Sequence, residues 1–134
     1  MTFGYIRDQV LFQTQNDQED LQDYMPAIND YINEGYDKLV YAYEGMHVDE
    51  TGDDETRIPY PSLYNLEDEP QTPKWTHRAI ADYATYLMYR NGNAMKQNRG
   101  VPYYNSFLEV LNKLPFSKQG GGAKMKNLYT PKVR

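Results

Sequence analysis

The sequence predicts an all-α protein: a small bundle of about four helices with a long non-helical loop and an extended C-terminal arm. Three observations predict it. Apolar residues recur at three- and four-residue steps through three long stretches that end near Leu114. Two prolines and a cluster of acids break that period between Gly45 and Gln71. Beyond Pro115 the composition turns to glycine and lysine. Residues 1–115 therefore form one helical domain, and residues 116–134 a flexible linker and a basic arm. None of the 134 residues is a cysteine, so a disulfide framework and a thiol metal site are both excluded and the fold must stand on packing.

The first helix is expected over about Thr2 to Thr14, with Phe3, Ile6 and Val10 on one side and Leu11 nearby. Asn16-Asp17-Gln18-Glu19-Asp20 suits a turn whose Asp or Asn caps the next helix. From Leu21 to Tyr43 the helical spacing is strong, carried by Ile28, Ile32 and Leu39 among others. Pro26 falls inside this stretch. A proline disfavours the α conformation in the residue before it, so a short turn should precede a helix that begins near Pro26 and ends at Gly45.

Residues 45–71 are expected to be non-helical, with room for a loose hairpin around Gly52. A loop of this length in a compact domain is often a contact element, which singles out Tyr60 and Tyr64. Asp49, Glu50, Asp53, Asp54 and Glu55 offer hard oxygen ligands, but they lack the spacing of a calcium loop and read as a solvated turn.

Thr72 to Gly92 reads as the organising helix. Thr72 is expected to cap it, Pro73 to open it, and Gly92 to end it in the left-handed conformation. Ile80, Ala84, Leu87 and Met88 form its packing stripe. Trp75 and His77, in its first turn, are expected at a contact between subunits, with His77 half-exposed and replaceable by alanine without loss of the fold. Asn93 can cap a last helix whose core residues are Phe107 and Leu111, with a kink or restart at Gly100-Val101-Pro102 and a stop at Pro115.

The formal charge of −5 conceals an asymmetry. Six basic residues and no acid lie between Lys113 and Arg134, which leaves residues 1–112 at a net charge of −11. An acidic body thus carries a basic tail, suited to nucleic acid or to an acidic protein surface, including that of another copy. Leu128, Tyr129 and Val133 among its charges favour a protein partner. No catalytic set can be assembled. His47 and His77 are the only histidines, no serine sits in a nucleophile elbow, and Gly120-Gly121-Gly122 lacks the Lys-Ser/Thr of a phosphate loop. The reading is of a protein that is not an enzyme and uses no cofactor and no metal. The sequence has no run near the roughly 18 apolar residues of a membrane span and no basic-then-apolar start, so no membrane partner is expected.

One set of residues carries a family resemblance. It comprises Ile32-Asn33-Glu34-Gly35-Tyr36, the run from Trp75 to Asn93 with Asp82-Tyr83-Ala84 and Arg90-Asn91-Gly92 at its centre, Lys96-Gln97-Asn98-Arg99-Gly100, and the Tyr104 to Phe107 segment. In these the chain resembles the head-tail adaptor proteins, also called connector or head-completion proteins, of long-tailed bacteriophages and prophages. The resemblance implies a helical bundle whose copies close into a ring under the portal, commonly of about twelve. It further implies that the ring extends the DNA channel and offers a surface to the next connector or tail protein. DNA would pass through without sequence-specific binding, and the protein would reside at the head-tail interface of a virion assembled in the bacterial cytoplasm. By the same resemblance the C-terminal arm, Met125, Lys126, Leu128, Tyr129, Lys132, Val133 and Arg134, would dock on the portal. The competing reading is a stand-alone helical module whose basic arm holds nucleic acid or an acidic protein.

Overall fold

A computed structural model of the chain describes the backbone of residues 1–45 and 61–122, and side chains of residues 1–43 and 61–114. Among the described residues there are four α-helices and no strands, an all-α small bundle. α1 spans Phe3–Gln13, with the Thr2 hydroxyl accepting from the Tyr5 amide at 3.2 Å. Two 3₁₀ turns, Gln15–Asp17 and Gln22–Ala27, lead into α2, Ile28–Gly45. Pro26 thus lies in the short turn before the helix, where its missing N–H costs nothing. An extended strap, residues 61–73, then leads through a 3₁₀ turn at Lys74–Thr76 into α3, His77–Arg90. α4 runs from Ala94 to Gly122 and is opened by the Asn93 side chain, which accepts from the Lys96 amide.

α3 is the axis of the bundle, and α1, α2 and α4 all pack on it. Its burial goes beyond the expected stripe: Ala79, Ala81, Tyr83, Thr85 and Tyr89 are buried along with Ile80, Ala84, Leu87 and Met88. A helix surrounded on three sides needs small residues where neighbours come close, and its alanines supply them. The neighbours contribute glycines at two crossings. A Cβ on Gly35 of α2 would meet the Tyr83 side chain at 3.2 Å, and one on Gly100 of α4 would meet the Tyr89 Cβ at 2.9 Å. The core closes with Phe3, Ile6 and Val10 of α1, Ile28, Ile32, Tyr36 and Leu39 of α2, Leu63 of the strap, and Phe107 and Leu114 of α4.

Several expectations are corrected. α3 begins at His77, and Thr72 does not cap it: the Thr72 hydroxyl oxygen accepts from the Thr76 hydroxyl at 2.9 Å, inside the strap. Gly92 is not left-handed. Its amide donates to the Tyr89 carbonyl, and the glycine is needed because a Cβ would stand 2.6 Å from that of Lys96. α4 continues through Gly100-Val101-Pro102 and past Pro115 to Gly122, so neither the restart nor the stop occurs. Proline's fixed φ is itself helical. Pro102 removes the donor to the carbonyl of Asn98 and its ring crowds that carbonyl, but Asn98 is exposed, so water can serve the freed oxygen. Leu111 packs against the core only half-buried, because the face of α4 that meets α3 passes through Phe107 and Leu114.

Candidate interaction surface

The strap is the expected contact loop, and the bundle holds its backbone at many points. The Asn33 side chain brackets Leu63, accepting from its amide at 2.8 Å and donating to its carbonyl at 3.1 Å, while the Leu63 side chain enters the core. Asp68 closes a turn by accepting from the amides of Tyr64 and Asn65 through one carboxylate oxygen. Those two donors hold its carboxyl below the usual aspartate range. The first amides of α1 complete the attachment: Phe3 donates to the Asp68 carbonyl at 2.7 Å and Gly4 to the Leu66 carbonyl at 2.9 Å. Amides at a helix start lack intrahelical acceptors, and here the strap provides them. The Gln71 amide donates to the Tyr36 hydroxyl at 2.9 Å. Burial pushes that hydroxyl's pKa up, opposed by the Gln71 bond and reinforced by the charge of Asp37.

Among its exposed polar and acidic residues the strap presents two large apolar side chains outward. Tyr64 is 80 % exposed and Leu66 57 %, and Trp75, just past the strap, is 46 % exposed. Single exposed apolar residues mean little, but aromatic groups on a backbone tied down by this many hydrogen bonds lose little entropy on meeting a partner. Beside them lies an open groove of about 260 Å³, lined by Tyr36, Leu63, Tyr64, Asp68, Glu69 and Gln71 among others. Because the Asn33 clamp is part-buried, Asn33→Ala strands the Leu63 amide and carbonyl and should cost about 1–3 kcal/mol. Hydrogen exchange checks it: amides of residues 63–71 should exchange faster in the variant, while those of Leu87 and Met88 keep their rank as the slowest.

His77 is not on this surface. It is 1 % exposed, and its Nε2–H donates to the Thr72 carbonyl at 2.9 Å. Its Nδ1 accepts from the Met1 amine at 2.9 Å, and the same amine pairs with Glu69 at 3.1 Å. The contact role expected for it gives way to a structural one, since it ties the end of the strap to α3 and the start of α1. Burial lowers its pKa, outweighing the Thr72 bond that acts the other way. A group whose folded pKa is depressed contributes stability above its ordinary value, here 6.5, and loses it as pH falls through the folded value. His77→Ala should therefore remain folded at pH 7 but lose about 1–3 kcal/mol by urea denaturation, and lack the part of the acid destabilisation that begins below pH 6.5.

At the opposite end of the bundle lies a cluster that the pattern of the sequence does not reveal. Asp17 is buried and accepts from the Tyr89 hydroxyl at 2.6 Å and from the Arg99 guanidinium. Lys96 Nζ stands 3.4 Å from Asp17 and 2.9 Å from Asp20. The cluster joins the turn after α1 to the end of α3 and the first turn of α4. Asp17 lies 72 positions from Tyr89 and 82 from Arg99, and the local signal at Asp17 pointed to a helix cap.

Of the residues expected to bind, Tyr64 and Trp75 are exposed on or beside the strap. Tyr60 and the arm, Met125 to Arg134, lie outside the described residues. Among the described residues no group of three or more potential ligands could hold a metal ion, and no helix is long and apolar enough to cross a membrane. Comparison with protein-family models, with curated proteins and with solved structures gives no match for this chain.

Proposed function

We propose that this protein is a structural component of a phage virion: a head-tail adaptor that assembles as a ring under the portal. In that role it extends the DNA channel and joins the capsid to the next connector or tail protein, and it binds rather than catalyses. The observation that carries this reading is the strap, held to α1, α2 and α3 by its backbone while it offers Tyr64, Leu66 and Trp75 outward. That arrangement suits a protein whose work is to hold neighbours at fixed positions.

Two further observations support it. The residues of the family resemblance meet in space, with Gly35 against Tyr83 and Gly100 against Tyr89 and Tyr86. The acidic body, with a net charge of −11 over residues 1–112, would let DNA slide through a channel without sticking. The portal is then the partner of the basic arm.

The test is co-expression with the portal protein encoded in the same genome. The full chain should co-purify with the portal and add a ring to it in electron micrographs, and a chain lacking residues 120–134 should not. A full chain that stays small and leaves the portal untouched would sink the adaptor reading and favour a stand-alone binding module.

A further inference from the structure

The groove beside Tyr64 has a chemistry of its own. From Pro61 to Pro73 the strap carries Glu67, Asp68 and Glu69 and no basic residue. Glu69 shares its charge with the Met1 amine, and Lys74 lies close by, but among the described residues neither Glu67 nor Asp68 has an ion-pair partner. One oxygen of Asp68 takes both strap amides, which leaves the other able to accept from a cation. The groove therefore combines anionic acceptors, an aromatic wall from Tyr64 and the apolar edge of Leu63. Its complement is a short extended segment with two cations about an apolar residue.

The chain contains such a segment, and the topology carries it toward the groove. α4 runs antiparallel to α3: Gly100 packs on Tyr89, Tyr104 on Tyr86 with rings 4.6 Å apart, and Phe107 on Tyr83 with rings 4.6 Å apart. Continued at the same step, this register brings Leu114 level with the start of α3, which is the strap's end of the bundle. The helix then rises about 12 Å further to Gly122. From there to the groove the way back is about 30 Å, made of that rise, part of a helix length and about two interhelical spacings across. Residues 123–134 can span about 40 Å when extended, so the last three residues reach the groove.

We propose that the groove is the docking site of the chain's own C-terminal segment, with Lys132 and Arg134 against the carboxylates of Asp68 and Glu69, and Val133 against the Tyr64 ring. The consequence for assembly rests on the adaptor reading. A portal that takes the arm draws it out of the groove and uncovers Tyr64 for a neighbouring copy, so that ring growth follows portal binding.

The absence of cysteine makes a direct test clean. The full-length chain with Ser62→Cys and Val133→Cys, free of portal, is oxidised under mild conditions beside a control pair, Gln15→Cys and Val133→Cys, whose first position lies at the opposite end of the bundle. The groove pair should close an intramolecular disulfide about tenfold faster than the control, as expected for a tethered segment that docks. Adding Glu69→Gln, or raising the salt, should remove that advantage. Equal rates for the two pairs, or a product that is only dimeric, would overturn the proposal. Because no portal is present, failure here leaves the adaptor reading standing, and trapping without portal co-purification would sink only that reading.

Discussion

Replacing Leu87 with aspartate leaves no folded protein at neutral pH. Leu87 is fully buried on α3, which all three other helices contact. Truncation to alanine alone should cost about 2–5 kcal/mol, the lost transfer energy of the side chain plus the cavity left behind. Against a total stability of about 5–15 kcal/mol for a domain, that is already a large fraction. Aspartate adds a carboxylate at a fully buried position, and burying an unpaired charge costs several kcal/mol more. The pair of variants makes the measurement specific. Leu87→Ala should show a cooperative urea transition at a lower midpoint, and Leu87→Asp should show none, with helical circular dichroism lost before denaturant is added. A cooperative transition in Leu87→Asp would mean that α3 is not the axis of the bundle.

Asp17→Asn should cost about 3 kcal/mol and remove part of the protein's acid sensitivity. Tyr89, the largest influence on the Asp17 carboxyl, donates to it from within the core, and Arg99 and Lys96 add their charges; together they hold its pKa below the ordinary 3.8 although burial pushes the other way. The same contact, with burial as the main cause, pushes the Tyr89 hydroxyl far above the usual tyrosine range. Arg99 is 47 % exposed, which puts the cost at the lower end of what a broken buried pair loses. The depressed carboxyl contributes stability in full above pH 3.8 and loses it as pH falls through the folded-state value. Urea midpoints at pH 7 and in steps below pH 4 check this: the gap between parent and variant should be widest at pH 7 and narrow as the acid limb is descended. A gap that stays constant would show that packing, not charge, sets the role of Asp17.

Much of the bundle was legible because helices announce themselves locally. The i, i+3, i+4 spacing located α1 and α2 within a residue or two, and Asn93 was readable as a cap from its type alone. Core positions followed from the same period, since Ile28, Ile32, Leu39, Ile80, Ala84, Leu87, Met88 and Phe107 are all buried. The errors fall where a local rule met a tertiary competitor. Thr72 would cap an isolated helix, but in the strap its hydroxyl is engaged by Thr76. Gly92 would terminate a helix in the left-handed form, yet it is there to admit the Lys96 side chain. Pro102 would interrupt a free helix, and packing on α3 on both sides of it, through Gly100 and Phe107, holds α4 together there.

Sequence alone therefore determined the helix count, most of the buried face and the charge asymmetry between body and tail, because each depends on residues a few positions apart. Only the tertiary structure decided that α3 is enclosed on three sides, that His77 is a buried tie rather than a contact, and that Asp17 meets Tyr89 and Arg99. It also turned the loop before α3 into a pinned strap with Tyr64 outward and Leu63 inward. Those outcomes depend on hydrogen bonds and close approaches between residues about 30 to 80 positions apart, and no spacing along one element encodes them.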